Sequence, residues 1–194
     1  MMVLNSSDSE TEKEMYKRAV QLSQFGSSES SFIEAFSLLE QLAEKGWSNA
    51  QVHLAYLYLC GKGVETSSEK SEYWYKQAAK QGNQAACHAL AIHYGTDMSE
   101  LEKVYWALKA ARLGSGPMQR KTAMNYYLGF GVPQNYFHAY AWFNVARANG
   151  EEVQKYLDKL EQFMPIEEIC KSQEVARQLF EEIHLEGFGS NVQK

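Results

Sequence analysis

One candidate for chemistry in this 194-residue sequence is the tripeptide Gly61-Lys62-Gly63. Glycine-rich turns bind phosphate through their backbone amides, and a lysine can add a positive charge to such a site. A nucleotide-binding loop, however, has four residues between its glycines, a Ser or Thr after the lysine, and a strand before it. The sequence around Lys62 meets none of these requirements. We therefore interpret the two glycines as parts of a turn between helices.

A second candidate is a metal or nucleophilic site built from His53, Cys87, His88 and His93. His88 and His93 are five residues apart, so on a helix they point in different directions, and no cysteine pair has the spacing of zinc ligands. A Cys–His nucleophile also needs a third group that orients the base, and no such group stands at a recognisable spacing. We predict no catalytic residues, no metal site and no cofactor.

Four similar segments dominate the sequence and indicate an internal repeat. They end at Gly46, Gly82, Gly114 and Gly150, which are spaced 36, 32 and 36 residues apart. A second block, LAYLYLCGKGV at 54–64, aligns with TAMNYYLGFGV at 122–132, 68 residues later. Because both blocks fall in one register, we predict repeated helix-turn-helix units.

The residue types within each unit predict how its helices pack. Leu54, Ala55 and Tyr58 share one helical face, and small Ala residues allow two helices to approach closely. The closing glycines fit helix ends in the left-handed conformation. We expect the aligned tryptophans Trp74, Trp106 and Trp142 to lie in the core. Trp47 follows a closing glycine, and we expect it to be exposed.

These motifs resemble the Sel1-like repeat, a relative of the tetratricopeptide repeat. The residues that carry the resemblance in the second copy are Ala50, Leu54, Ala55, Tyr58, Gly61, Gly63, Val64, Trp74, Tyr75, Ala78, Ala79 and Gly82. The resemblance covers residues 13–150; the third copy is shortened and the first is degenerate. It implies an all-α fold, an α-α superhelix or solenoid of four repeats, and a role as adaptor or scaffold.

The repeat register predicts the organisation of the chain. A flexible tail at 1–12 precedes an array at 13–150, and capping helices at 151–185 precede a second flexible tail at 186–194. The four repeats are predicted at 13–48, 49–83, 84–116 and 117–150.

Composition limits the classes of partner. The formal net charge of −5 is unlike that of proteins that bind nucleic acid through clustered Lys and Arg. No apolar stretch approaches the 18 residues of a membrane-spanning helix. The first residues lack a secretory signal, so we expect a cytoplasmic protein, with an exported protein trimmed of its signal as the alternative.

By similarity to tetratricopeptide arrays, three positions on the first helix of each repeat line the concave surface. We call this set the inner strip. It comprises Tyr16, Lys17, Val20, Val52, His53, Tyr56, His88, Ala89, Ile92, Arg120, Lys121 and Met124. Its mixture of apolar, aromatic and basic residues suits an amphipathic or acidic peptide segment. An unused solvent-exposed face is the alternative.

The sequence therefore predicts a non-catalytic scaffold that binds a protein or peptide partner, without nucleic acid and without membrane insertion. Two alternatives stay open. One is a hydrolase-type enzyme on the same scaffold, and the other is a structural component that uses its outer edges within a larger assembly.

Three cysteines, an odd number without regular spacing, predict free thiols at Cys60, Cys87 and Cys170. We expect thiol titration in denaturant, without reductant, to find all three. A single thiol would indicate an intramolecular disulfide and would contradict the cytoplasmic location as well.

Overall fold

The computed structural model describes residues 6–25, 28–92 and 98–189. Within these ranges the chain forms α-helices and turns, with no strand, which confirms the predicted all-α fold class. The helices are α1 (Ser6–Phe25), α2 (Glu29–Glu44), α3 (Ser48–Cys60), α4 (Ser68–Lys80), α5 (Gln84–Ala91), α6 (Glu100–Arg112), α7 (Gly116–Leu128), α8 (Tyr136–Ala148), α9 (Gln154–Glu161) and α10 (Ile166–Gly189).

The chain divides into two compact units, Met1–Ala86 and Cys87–Lys194. In the first unit each helix packs on the next, α1 on α2, α2 on α3 and α3 on α4. In the second unit α6 packs on α7 and α7 on α8, while α8 also contacts α9 and α10.

Helix ends follow the sequence signals. The side chains of Ser28, Ser67 and Asn135 each accept a hydrogen bond from the backbone N–H three residues later, as N-caps do. The closing glycines of the four repeats, at 46, 82, 114 and 150, all have positive φ angles between 78° and 92°. Their predicted left-handed conformation is therefore confirmed.

Glycine at 63 is required by packing as well as by backbone conformation. Gly63 has a φ of 69°, and a Cβ there would overlap the backbone of Phe32 and Ile33 on α2. Gly131, in the same register of the fourth repeat, approaches α6 similarly, and a Cβ there would lie 2.7 Å from Val104 Cγ2. Each turn is thus pressed against the helix that precedes its repeat.

The predicted burial of the tryptophans is only partly correct. Trp142 is 3% exposed. Trp74 and Trp106 are only partly buried, with Tyr73 and Tyr105 packed edge-on beside them. The alanines that follow Trp74 on the same helix, Ala78 and Ala79, are fully buried.

Two expectations for the N-terminal region are wrong. Residues 6–12 were expected in a flexible tail but form the first turns of α1. Trp47 was expected to be exposed, yet it packs against the core of the first unit. Its indole N–H donates to Glu12 Oε2 at 3.0 Å, while Lys45 Nζ lies 2.7 Å from Glu12 Oε1. The indole is therefore partly buried, with its donor satisfied by a carboxylate from α1.

A buried glutamine that is hydrogen-bonded to a second, exposed amide recurs in both units, 68 residues apart. In the first unit, Gln51 Nε2 donates to the Ala43 carbonyl at 3.0 Å, and Gln51 Oε1 accepts from Gln81 Nε2 at 2.9 Å. In the second unit, Gln119 Nε2 donates to the carbonyl of Ala111 at 3.2 Å, and its Oε1 accepts from Asn149 Nδ2 at 2.8 Å. Each glutamine thus joins the end of the preceding repeat's second helix to the end of its own repeat's second helix.

Replacing Gln119 by Met keeps the side-chain volume but removes both hydrogen bonds. The Ala111 carbonyl still accepts a hydrogen bond from the Gly114 N–H, so the cost is that of the two lost hydrogen bonds. At about 0.5–1.5 kcal/mol for each bond, we expect the free energy of unfolding to fall by about 1–3 kcal/mol. Chemical denaturation measures it. Gln41→Met, on an exposed face of α2, is the matched control. Equal losses in the two variants would contradict a structural role for the buried amides.

Candidate functional site

A cavity in the first unit contains three of the predicted inner-strip residues. Val52, His53 and Tyr56 on α3 line a space of about 380 Å³. The remaining lining residues come from α1, α3, the following turn and α4, and they are Ser23, Leu57, Lys62 and Tyr75. Tyr56 is 47% exposed, so the cavity opens to solvent beside an accessible aromatic ring. Its volume is near the lower end of the range for ligand pockets.

The phenol groups of the cavity are neutral at physiological pH. Burial, followed by the nearby Cys60 and Tyr56 groups, raises the pKa of Tyr75 to about 12. A hydrogen bond with the Cys60 side chain is the main cause that raises the pKa of Tyr56. The aromatic walls therefore contribute apolar surface and neutral hydroxyl groups.

His53 is also neutral under these conditions. It is partly buried, and its ring lies 5.6 Å from that of Tyr16, centroid to centroid. Burial lowers the pKa of His53 below its ordinary value of 6.5. At neutral pH the imidazole therefore offers a donor and an acceptor to a ligand without adding charge.

Lys62 supplies positive charge at this cavity. Its Nζ lies 5.1 Å from the ring centroid of Phe32 and 5.7 Å from that of Tyr56, which are cation–π distances. The sequence predicts Lys62 to be a turn residue. The structure supports the turn, because the tripeptide follows helix α3, but it also brings the Lys62 side chain to the cavity.

The first inner-strip set, on α1, is partly engaged in packing. Tyr16 lies against the core, with its ring 6.2 Å from that of Trp47. Val20 is partly buried and Lys17 is exposed. Of these three residues, Lys17 is therefore the most accessible.

The inner-strip residues of the second unit differ in exposure. On α5, His88 and Ala89 are partly buried, and the His88 Nδ1 lies 3.4 Å from the Ser115 hydroxyl. The residue after α5, Ile92, is 36% exposed.

On α7, the exposed Arg120 forms an ion pair with Glu151, with 2.9 Å between Nε and Oε2. Lys121 and Met124 are partly buried. Glu151, Lys155 and Tyr156 line a polar cavity of about 460 Å³ together with Arg120. The charge of Arg120 is thus largely compensated within the unit.

The described residues provide no grouping of three or more His, Cys, Asp or Glu side chains suited to a metal ion. His93, considered above as a ligand, lies outside the described residues. Cys87 is buried, whereas Cys60 and Cys170 are exposed, and all three are free thiols in the structure.

Comparison with protein families explains the helical repeats. A profile of the Sel1 repeat matches residues 15–47, 48–83, 84–115 and 117–151, which is more than half of the chain. The chain belongs to the Sel1 repeat family. Proteins with Sel1 repeats generally mediate protein–protein interactions. The resemblance predicted from the sequence motifs is confirmed.

Individual relatives agree with this family. The chain is 29% identical over 133 residues to the chitin synthase regulator SKT5 of Saccharomyces cerevisiae, which covers 65% of the chain but 19% of that protein. A Sel1 repeat protein from Oxalobacter formigenes aligns with a TM-score of 0.66 and 26% identity, over 86% of this chain and 52% of its own. The uropathogenic Escherichia coli antigen c5321 aligns with a TM-score of 0.51 and 22% identity, over 97% of this chain and 50% of its own.

The chain therefore spans about a fifth of the yeast relative and about half of each bacterial structure. Among the described helices, none combines the length and apolar character needed to cross a bilayer.

The lowered pKa of His53 predicts a pH dependence of stability. The unfolded chain binds a proton near pH 6.5, whereas the folded protein binds it only at lower pH. The stabilisation is therefore complete above about pH 6.5 and is lost as the pH falls from there towards the folded pKa. We expect the free energy of unfolding of His53→Gln to decrease less than that of the wild type as the pH falls. Denaturation between about pH 5 and 8 measures this difference.

His138→Gln, at an exposed histidine, controls for the loss of a histidine as such. A wild-type slope in the His53 variant would show that His53 does not contribute to the pH dependence.

Proposed function

We propose that this Sel1 repeat chain is a non-catalytic scaffold that binds a segment of a partner protein along the inner strip. The observation that carries the proposal is the cavity at α3, where Val52, His53 and Tyr56 lie together beside Lys62. Apolar surface with a few polar groups is typical of sites that hold a partner's side chains. The general role of Sel1 repeats in protein interactions supports the same conclusion.

The inner strip suits a peptide segment better than a nucleic-acid backbone. Arg120, one of its basic residues, is paired with Glu151. Nucleic-acid binding requires several cations free to contact phosphates. The yeast relative is named as a regulator of an enzyme, and a scaffold that acts by contact with another protein would be compatible with such a role.

We also propose a cytoplasmic location. The free thiols at Cys60, Cys87 and Cys170 support it, because unpaired cysteines are most common in reducing compartments. The thiol titration described above tests this proposal separately from partner binding.

The combined replacement of Tyr56, Ile92 and Met124 by Ser tests the inner strip. One residue from each of three repeats is changed, at the same register position. A buried anchor at the centre of an interface typically contributes about 2 kcal/mol or more. We therefore expect affinity for a partner isolated from native extract to fall by more than about a hundredfold, measured by titration calorimetry with purified proteins.

Two controls separate binding from folding. Tyr73, Leu101 and Leu128 are 54%, 66% and 61% exposed and lie outside the inner strip, so replacing these three by Ser should leave capture intact. Trp142→Ala removes a side chain that is 3% exposed and should destabilise the fold. Normal folding and full capture by the inner-strip variant would place the binding surface elsewhere.

A further inference from the structure

We infer that the cavity at α3 is a side-chain pocket for a two-residue element of the partner, an aromatic or large aliphatic residue followed by an acidic one. Its apolar walls take the first side chain, and Lys62 binds the carboxylate of the second. This inference rests on the proposed function and specifies the chemistry of the partner.

The apolar half of the element follows from the walls of the cavity. Val52, Leu57 and the rings of Tyr56 and Tyr75 surround a space of about 380 Å³. His53 lies at the same cavity with its pKa lowered by burial, so it does not attract a charged side chain. A space of this size and polarity accommodates one large apolar side chain.

The acidic half follows from the surroundings of Lys62. Within the ranges that the structure describes, no carboxylate lies at ion-pair distance from the Lys62 ammonium group, whose described contacts are the rings of Phe32 and Tyr56. The neighbouring carboxylate of Glu29 accepts a hydrogen bond from the backbone N–H of Gly63 at 3.1 Å instead. The lysine is thus held at the cavity by aromatic faces with its charge uncompensated, and a partner carboxylate complements it.

The fold does not require a lysine at position 62. Gly129, Phe130 and Gly131 form the same turn in the fourth repeat, with φ values of 72° and 67° at the glycines, against 65° and 69° at Gly61 and Gly63. There the central residue is Phe130, which is 49% exposed. The turn therefore forms with either residue at its centre. Because the fold does not constrain this residue, it can determine which partner segment is bound.

The net charge of −5 limits how acidic the partner segment can be. A long acidic segment would be repelled by the protein as a whole. A single carboxylate next to an apolar anchor is attracted by Lys62 and is repelled much less by the net negative charge of the protein. The chemistry therefore favours an apolar–acidic pair over an acidic run.

The test uses four peptides with acetylated N-termini and amidated C-termini, so that no terminal charge contributes. Their common frame is Gly-Gly-Z-X-Gly-Gly, with Phe-Glu, Phe-Gln, Phe-Lys or Ala-Glu at Z-X. Chemical-shift changes at the methyl groups of Val52 and Leu57 report occupancy of the pocket and give a Kd. We expect Phe-Glu to bind about two- to fivefold more tightly than Phe-Gln, the range of an exposed ion pair. Phe-Lys should bind more weakly than Phe-Gln, and Ala-Glu should show no saturable binding.

Exchange of the charge provides the decisive variant. Lys62→Glu should reverse the order of the peptide affinities, so that Phe-Lys binds more tightly than Phe-Glu by a similar factor. Phe130→Glu introduces the same side chain at the equivalent turn and should leave the preference for Phe-Glu unchanged. Circular dichroism melts of both variants show whether the fold is retained.

Several results would overturn the inference. These are no shift of the Val52 and Leu57 methyl groups with any peptide, equal affinity for Phe-Glu and Phe-Lys, or an unchanged order in Lys62→Glu. Each of these leaves the proposed function intact if the inner-strip variant still loses its partner. The opposite combination is also informative. If the preference between Phe-Glu and Phe-Lys reverses in Lys62→Glu but the inner-strip variant still captures every partner, the proposed function is wrong and the pocket is supported.

Discussion

Close approach between helix backbones is the constraint on which this structure depends. At the tightest contacts the chain has alanine, as at the fully buried Ala50, Ala55 and Ala78, or no side chain at all. Gly63 is the extreme case, because its turn lies against the backbone of α2 with no space for a Cβ. Such contacts leave no room for larger side chains. Larger side chains must therefore lie beside these contacts, where the helices are further apart.

The turn at Gly61–Gly63 links this constraint to the proposed binding site. Gly61 ends α3 in the left-handed conformation, and Gly63 presses the turn onto α2. Lys62, between them, therefore reaches the ring of Phe32 on α2 and the ring of Tyr56 on α3. A rigid turn of this kind presents a cation at little entropic cost, which is an advantage in a site that binds flexible segments.

Polar groups inside the units have unequal roles. Gln51 and Gln119 each donate a second hydrogen bond to a buried carbonyl and join helices of successive repeats. In the same register the third repeat has Cys87, whose side chain carries no amide. The hydroxyl of Thr122 and the side-chain nitrogen of Asn125 are also buried, but have no hydrogen-bond partner among the described residues. Burial of such groups costs free energy, and no feature of the second unit explains their presence.

The sequence by itself determined the repeat register, the helical fold class and the positive φ angles of the closing glycines. These features depend on short-range spacing and on the unique backbone freedom of glycine, both of which are visible in one dimension. The same register selected Val52, His53 and Tyr56, three residues of α3 that line one cavity.

Only the tertiary structure decided which residues meet across the helices. The partial burial of Trp47 brings its indole N–H to Glu12, which is 35 residues away in sequence. The position of Lys62 at a cavity depends on the packing of its turn against α2. The positive charge of Arg120 is compensated by Glu151, which belongs to the segment after α8. Contacts of this kind arise from distances between helices, and a periodic pattern of residue types carries no information about which charged partner a distant segment provides.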